Sequence, residues 1–155
     1  MTADPAGADL RAEAVAVARS WIGTPYRHGA SRQGAGADCL GLIRGVWRAL
    51  YGREPAQTPP YTDDWNDASG AEALLETARR VMVEIPRPAA GSGDLLLFRM
   101  REGAPAKHLG LRAEAGDGAP TVVHAYSGRG VVESALGPAL ARRIAAAFRL
   151  PGRAG

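Results

Sequence analysis

The chain has 155 residues, 46% of them hydrophobic and 23% charged, with a formal net charge of +3. Its length fits one domain around one core, and its 20 glycines and 11 prolines imply many turns without reaching the level of disorder. The mild basic balance suits an acidic polymer without selecting one, and the absence of a basic run or aromatic-basic stripe argues against a nucleic-acid partner.

The N-terminus, MTADPAGADLRAEAVAVARS, carries acidic residues early. It lacks a basic region followed by an apolar one, so we expect synthesis in the cytoplasm without a secretory signal. No apolar stretch approaches the ~20 residues of a membrane span. From about residue 9 to 21, Leu10, Ala14, Val17, Ala18 and Trp21 recur at helical spacing and predict an amphipathic helix. The segment GTPYRHGASRQGAGAD reads as a loop. From Cys39 to about Leu50, Leu42, Ile43, Val46, Trp47 and Leu50 form an apolar helical stripe. Gly41 and Gly45 weaken that helix by roughly 1 kcal/mol each, which implies a close packing partner over their face.

Residues 52–68 hold Pro55, Pro59, Pro60 and the patch YTDDWND, an irregular connection. Ser69 followed by Glu72 reads as a capping box for a helix carrying Leu74, Leu75, Ala78, Val81 and Met82. The second half changes to strands. GSGDLLLFRM predicts a turn and a short strand, with Asp94 as a turn residue; HLGLRAEA predicts another strand. PTVVHAYSGRGVVES predicts a hairpin with Ser127 to Gly130 at its tip, and a last strand lies near Phe148 to Leu150. Helices first and strands after imply an α+β fold with a segregated antiparallel sheet.

The single cysteine excludes an internal disulfide framework. Cys39 opens a helix, with Asp38 placed as its N-cap. Unpaired N–H groups and the helix dipole there favour a thiolate, so a lowered thiol pKa is expected if Cys39 is a nucleophile. The alternative is a small hydrophobe filling the core. A nucleophile needs a base, and His108 and His124 fall on predicted neighbouring strands, where facing side chains are about 5 Å apart. One would act as base and the other orient it. Either alone is more often a half-buried polar residue with a backbone partner; only as a set with Cys39 do the two readings balance. Zinc is disfavoured, because the spacings from Cys39 to His108 to His124 contain no close ligand pair. Tyr26 either points into a cleft or anchors its loop.

Four blocks then carry a resemblance: WIGTPYRHGA, DCLGLIRGVW, GDLLLF, and HLGL followed by VVHAYSGRGVVES. In this order they resemble the NlpC/P60 family of cell-wall cysteine peptidases, over most of residues 15–150. The resemblance implies a papain-like fold, with Cys39 as nucleophile, His108 as base and His124 as the orienting residue. It implies that Tyr26 lines the cleft and that Asp38 sits beside the substrate, with no cofactor and no metal. The implied substrate is the peptide stem of peptidoglycan, cut between D-glutamate and diaminopimelate. Leu40 stands where the family commonly has serine, which in some members binds the free amino end of the stem. The Cys-Leu-Gly form and the compact chain are similar to the subgroup carried in phage tails and gene transfer particles. That implies tail hub or baseplate partners and a location in the particle's tail. Two other readings are a thiol acyltransferase or amidase on the same fold, and a structural tail-tip adaptor with an inactive site.

Overall fold

The computed structural model describes residues 5–55 and 72–153. Helix α1 (Pro5–Ser20) buries Leu10, Ala14 and Ala18, with Trp21 just beyond its end. A two-stranded ribbon follows inside the glycine-rich loop, β1 (Ser31–Arg32) against β2 (Gly36–Ala37). Sequence periodicity does not detect it, because two residues per strand carry no alternation.

Helix α2 (Cys39–Tyr51) turns its apolar stripe of Leu42, Ile43, Val46, Trp47 and Leu50 into the core. Burying side chains of this size contributes roughly 1.5–3 kcal/mol each. Its C-terminus is closed by Gly52 in the left-handed conformation, whose N–H donates to the Arg48 carbonyl. The expected partner over the glycine face is present. A Cβ on Gly41 would stand 1.8 Å from the Ala30 carbonyl oxygen, and one on Gly45 would stand 2.1 Å from the Trp21 ring. The glycines let α2 sit against the loop and the end of α1.

Helix α3 (Ala73–Val81) begins one residue after Glu72. Ser69, the YTDDWND patch, Pro59 and Pro60 lie outside the described residues. Glu72 does not cap α3 through its side chain. Its carboxylate instead accepts from Arg99 Nη1 at 2.6 Å and from the Ala106 N–H at 2.8 Å, because a charged guanidinium is a stronger partner than a helix N–H.

The strands are β3 (Val83–Ile85), β4 (Leu95–Phe98), β5 (His108–Glu114), β6 (Pro120–Tyr126), β7 (Gly130–Ala135) and β8 (Ile144–Arg149). They form one antiparallel sheet in the order β3-β8-β4-β5-β6-β7. A short helix, α4 (Pro138–Ala141), precedes β8. One sheet face, with Leu95, Leu97, Leu109, Leu111, Val123 and Phe148, packs against α1 and α2. The other buries Leu96, Phe98, Val122 and Ala147 beneath Ile85, Ala90 and Leu140. The architecture is α+β with a segregated antiparallel sheet, as the chain order of elements implied. Asp94 is more than a turn residue. It is fully buried, accepts from the Gly91 N–H at 2.8 Å and pairs with Arg149 at 2.9 Å. Among the described residues no helix is long and apolar enough to cross a membrane.

Candidate active site

Cys39 is the first residue of α2, and Asp38 is its N-cap in an extended conformation. Asp38 is only 3% exposed. Its Oδ1 accepts from the Gly41 N–H and its Oδ2 from the Gly29 N–H, both at 2.7 Å. The Leu42 N–H donates to the Asp38 carbonyl. One carboxylate thus ties the helix start to the glycine-rich loop, and His28 Nδ1 stands 3.8 Å from it. The N–H groups of Cys39 and Leu40 are turned toward the thiol, joined from the sheet side by the N–H of Leu109.

The loop that carries Tyr26 is stitched to β7. The Val131 N–H donates to the Thr24 carbonyl, and the Gly23 N–H donates to the Val131 carbonyl. Gly130 has φ +76°, and a Cβ there would stand 2.4 Å from the Thr24 oxygen. Tyr26 bridges Ala37 just before the cap residue. On the other side, the loop between β4 and β5 is held by arginines. Arg99 bonds the Ala104 carbonyl and Glu72, and Arg143 bonds the Met100 carbonyl.

These elements enclose a cleft of about 320 Å³. Tyr26, His28, Asp38, Cys39 and Leu40 line one side; Met100, Arg101, Ala104, Pro105, Lys107 and His108 line the other. Tyr126 and Ser127 line it as well. Cys39, His108, Tyr26 and Asp38 therefore share one cleft. His124 stands behind His108, with its Nδ1 2.7 Å from His108 Nε2. Its other ring nitrogen, Nε2, is 2.9 Å from Ser134 Oγ.

The two histidines meet differently from the cross-strand facing expected. The residue paired with His124 on β5 is Gly110, so His108 reaches it diagonally, with ring centroids 5.0 Å apart. Gly110 makes this possible. A Cβ there would stand 2.4 Å from Val122 and 3.3 Å from the His124 Cβ. Strand alternation carried His108, Gly110 and His124 on one face, but nothing in it singled out Gly110 or Ser134. The tilted rings of Phe98 and Tyr126 pack on His108 and His124, at 5.6 Å and 4.9 Å.

The electrostatics correct one expectation. Burial pushes the Cys39 thiol up to about 11, and the nearby Asp38 carboxylate adds to the rise. The N–H groups of Leu109, Leu40 and Cys39 oppose this without overcoming it. Helix-end donors stabilise a thiolate, but the lost hydration of an anion wedged between helix and sheet costs more. At rest the thiol donates to the Lys107 carbonyl at 3.6 Å. Burial likewise pushes His108 and His124 down to about 4, and the neighbouring His124 adds to the fall at His108. The resting pair is neutral thiol and neutral imidazole. A thiolate and an imidazolium become favourable here only together, each as the other's counter-ion. Among the described residues no three His, Cys, Asp or Glu side chains are grouped to hold a metal ion.

Comparison with known proteins bears on the fold and the family. Over 91% of the chain and 97% of its counterpart, the fold is similar to the NlpC/p60 domain of the peptidoglycan hydrolase SagA, at 25% identity and a TM-score of 0.56. It is also similar in fold to a lipoprotein-like NLP/P60 protein of Staphylococcus aureus, at 20% identity and a TM-score of 0.54, over 96% of this chain and 42% of that one. Among curated proteins, 69 residues are 33% identical to a GTPase Obg of Acidithiobacillus ferrooxidans, covering 44% of this chain. The chain spans only 18% of the length of that relative. Its single lysine, Lys107, precedes a histidine, so a phosphate-loop Gly-Lys-Ser/Thr is not in the sequence. The model of the NlpC/P60 family matches residues 23–147, and the chain belongs to that family.

Proposed function

We propose that this protein is a cysteine peptidase that hydrolyses the peptide stems of peptidoglycan. The observation that carries the reading is the shared cleft, which both Cys39 at a helix start and His108 line, with His108 Nε2 held by His124 at 2.7 Å. With Nε2 engaged, Nδ1 is the His108 nitrogen left for the thiol proton. The thiol turns from the Lys107 carbonyl toward Nδ1, and Sγ attacks the scissile carbonyl carbon as the proton moves. The N–H groups of Cys39 and Leu40 receive the developing oxyanion. His108 returns the proton to the leaving amine as the C–N bond breaks, leaving a thioester. Water, deprotonated by His108, then releases the acid and restores the thiol.

The proposed bond is of the D-glutamate–diaminopimelate type. Leu40 presents an alkyl side chain to the cleft, so the amino end of the stem is recognised by other groups, with Tyr26 and Asp38 as the candidates. The proposed setting is a phage-like tail tip, docked on tail hub or baseplate proteins, which would bring the enzyme to the wall locally. The test is Cys39→Ala with muropeptide release from purified sacculi as the readout. Loss of release by a folded variant supports the reading, and undiminished release overturns it. The raised thiol pKa supports a second reading, a tail-tip adaptor with an idle site. Iodoacetamide separates the two: labelling of Cys39 at neutral pH that His108→Ala abolishes marks a working pair, and no labelling below pH 9 marks the adaptor.

A further inference from the structure

The contact behind the two histidines has a direction. For His108 to accept a proton at Nδ1, its own ring proton must sit on Nε2. That proton then points at His124 Nδ1, which has to be bare. The remaining proton of neutral His124 sits on Nε2 and needs an acceptor 2.9 Å away, where Ser134 Oγ stands. If Ser134 donated instead, every proton in the row would reverse, and His108 would carry its hydrogen on Nδ1, facing the thiol. A serine hydroxyl can do either, so its orientation decides whether the base is competent.

We propose that Ser134 is a positioning residue that accepts from His124 Nε2–H and so sets the tautomer of both histidines. This rests on the catalytic reading of Cys39 and His108. The sheet places Ser134 for the task. It lies on β7 diagonal to His124, whose direct partner there is Val132. The groups facing His124 are His108 from β5, Tyr126 from its own strand and Ser134 from β7. Glu133, next to Ser134, points to the other face and is taken by Arg19 at 2.9 Å and Thr121 at 2.7 Å. The row therefore ends on a neutral hydroxyl rather than a carboxylate. When His108 becomes imidazolium, its Nε2–H still donates to His124, and the polarised His124 Nε2–H leans on Ser134 Oγ.

The test uses the full chain and three variants, Ser134→Ala, Ser134→Thr and Ser134→Asp. For Ser134→Ala the expected result is a roughly tenfold fall in kcat with KM unchanged, the size of one lost hydrogen bond. Ser134→Thr keeps the hydroxyl and restores most of the rate. Ser134→Asp makes the acceptor anionic, so the acid limb of the pH–rate profile moves up. Nitrogen NMR of the histidine rings reads the tautomers without any substrate. His124 and His108 protonated on Nε2 in the parent, with the proton on His124 redistributed in Ser134→Ala, supports the proposal. A parent His124 protonated on Nδ1, or identical tautomers in parent and Ser134→Ala, overturns it. A parent that releases no muropeptides overturns the peptidase reading instead, and the ring spectra still decide the tautomer question.

Discussion

Asp38 performs two tasks that pull in opposite directions, and replacing it separates them. Its Oδ1 caps α2 through the Gly41 N–H, and its Oδ2 holds the Gly29 N–H of the preceding loop. Removing an N-cap costs about 1 kcal/mol. The bond to Gly29 contributes about 1 kcal/mol more, since Gly29 is exposed and water replaces part of it. Asp38→Ala is therefore expected to lose about 2 kcal/mol, or roughly 4–8 °C in Tm for a chain of this size. The same carboxylate raises the Cys39 thiol through its charge. Asp38→Asn keeps the shape and one acceptor and removes the charge, so the midpoint of Cys39 alkylation against pH should move down. Thermal melts and iodoacetamide kinetics from pH 8 to 12, a range that brackets the raised thiol, measure the two effects separately. A Tm within 2 °C of the parent for Asp38→Ala refutes the capping argument. An alkylation midpoint that stays or rises in Asp38→Asn refutes the electrostatic one.

Two further outcomes follow from packing and protonation. Gly45→Ala gains about 1 kcal/mol of helix propensity but forces a methyl within 2.1 Å of the Trp21 ring, and overpacking of that kind costs about 1–3 kcal/mol or more. Urea unfolding should show a net loss; a variant more stable than the parent would contradict the close fit of α2 on Trp21. His108 and His124 are both pushed down to about 4 from an ordinary 6.5. The unfolded chain then binds more protons than the folded one between those values, so stability should fall as pH drops from about 6.5 to about 4. For His124, 4% exposed, the ceiling is about 3 kcal/mol. Urea midpoints at pH 7 and pH 4.5 check the sign, and His124→Gln should flatten the dependence.

Helices α1 to α3 and strands β4 to β7 were legible because each presents a recurring apolar pattern long enough to count, and of β8 only the end near Phe148 was, the strand itself running Ile144–Arg149. The shorter pieces were not: β3, the β1–β2 ribbon and α4 are held by neighbours rather than by their own periodicity. Local spacing put Cys39 at a helix start with Asp38 as its cap, and placed His108 and His124 on adjacent strands. That much depends on the period of a helix or strand and on cap chemistry, which act over a few residues. The tertiary structure decided the rest. It turned the thiol pKa upward, because burial between α2 and β5 outweighs the helix-end donors. It made the histidine contact diagonal, because Gly110 leaves the space opposite His124. It also supplied Ser134 as the last group in the row, from a residue that alternation alone marks only as polar. Desolvation, cross-strand register and the room left by a missing side chain are set by what packs from distant parts of the chain, and no local pattern encodes them.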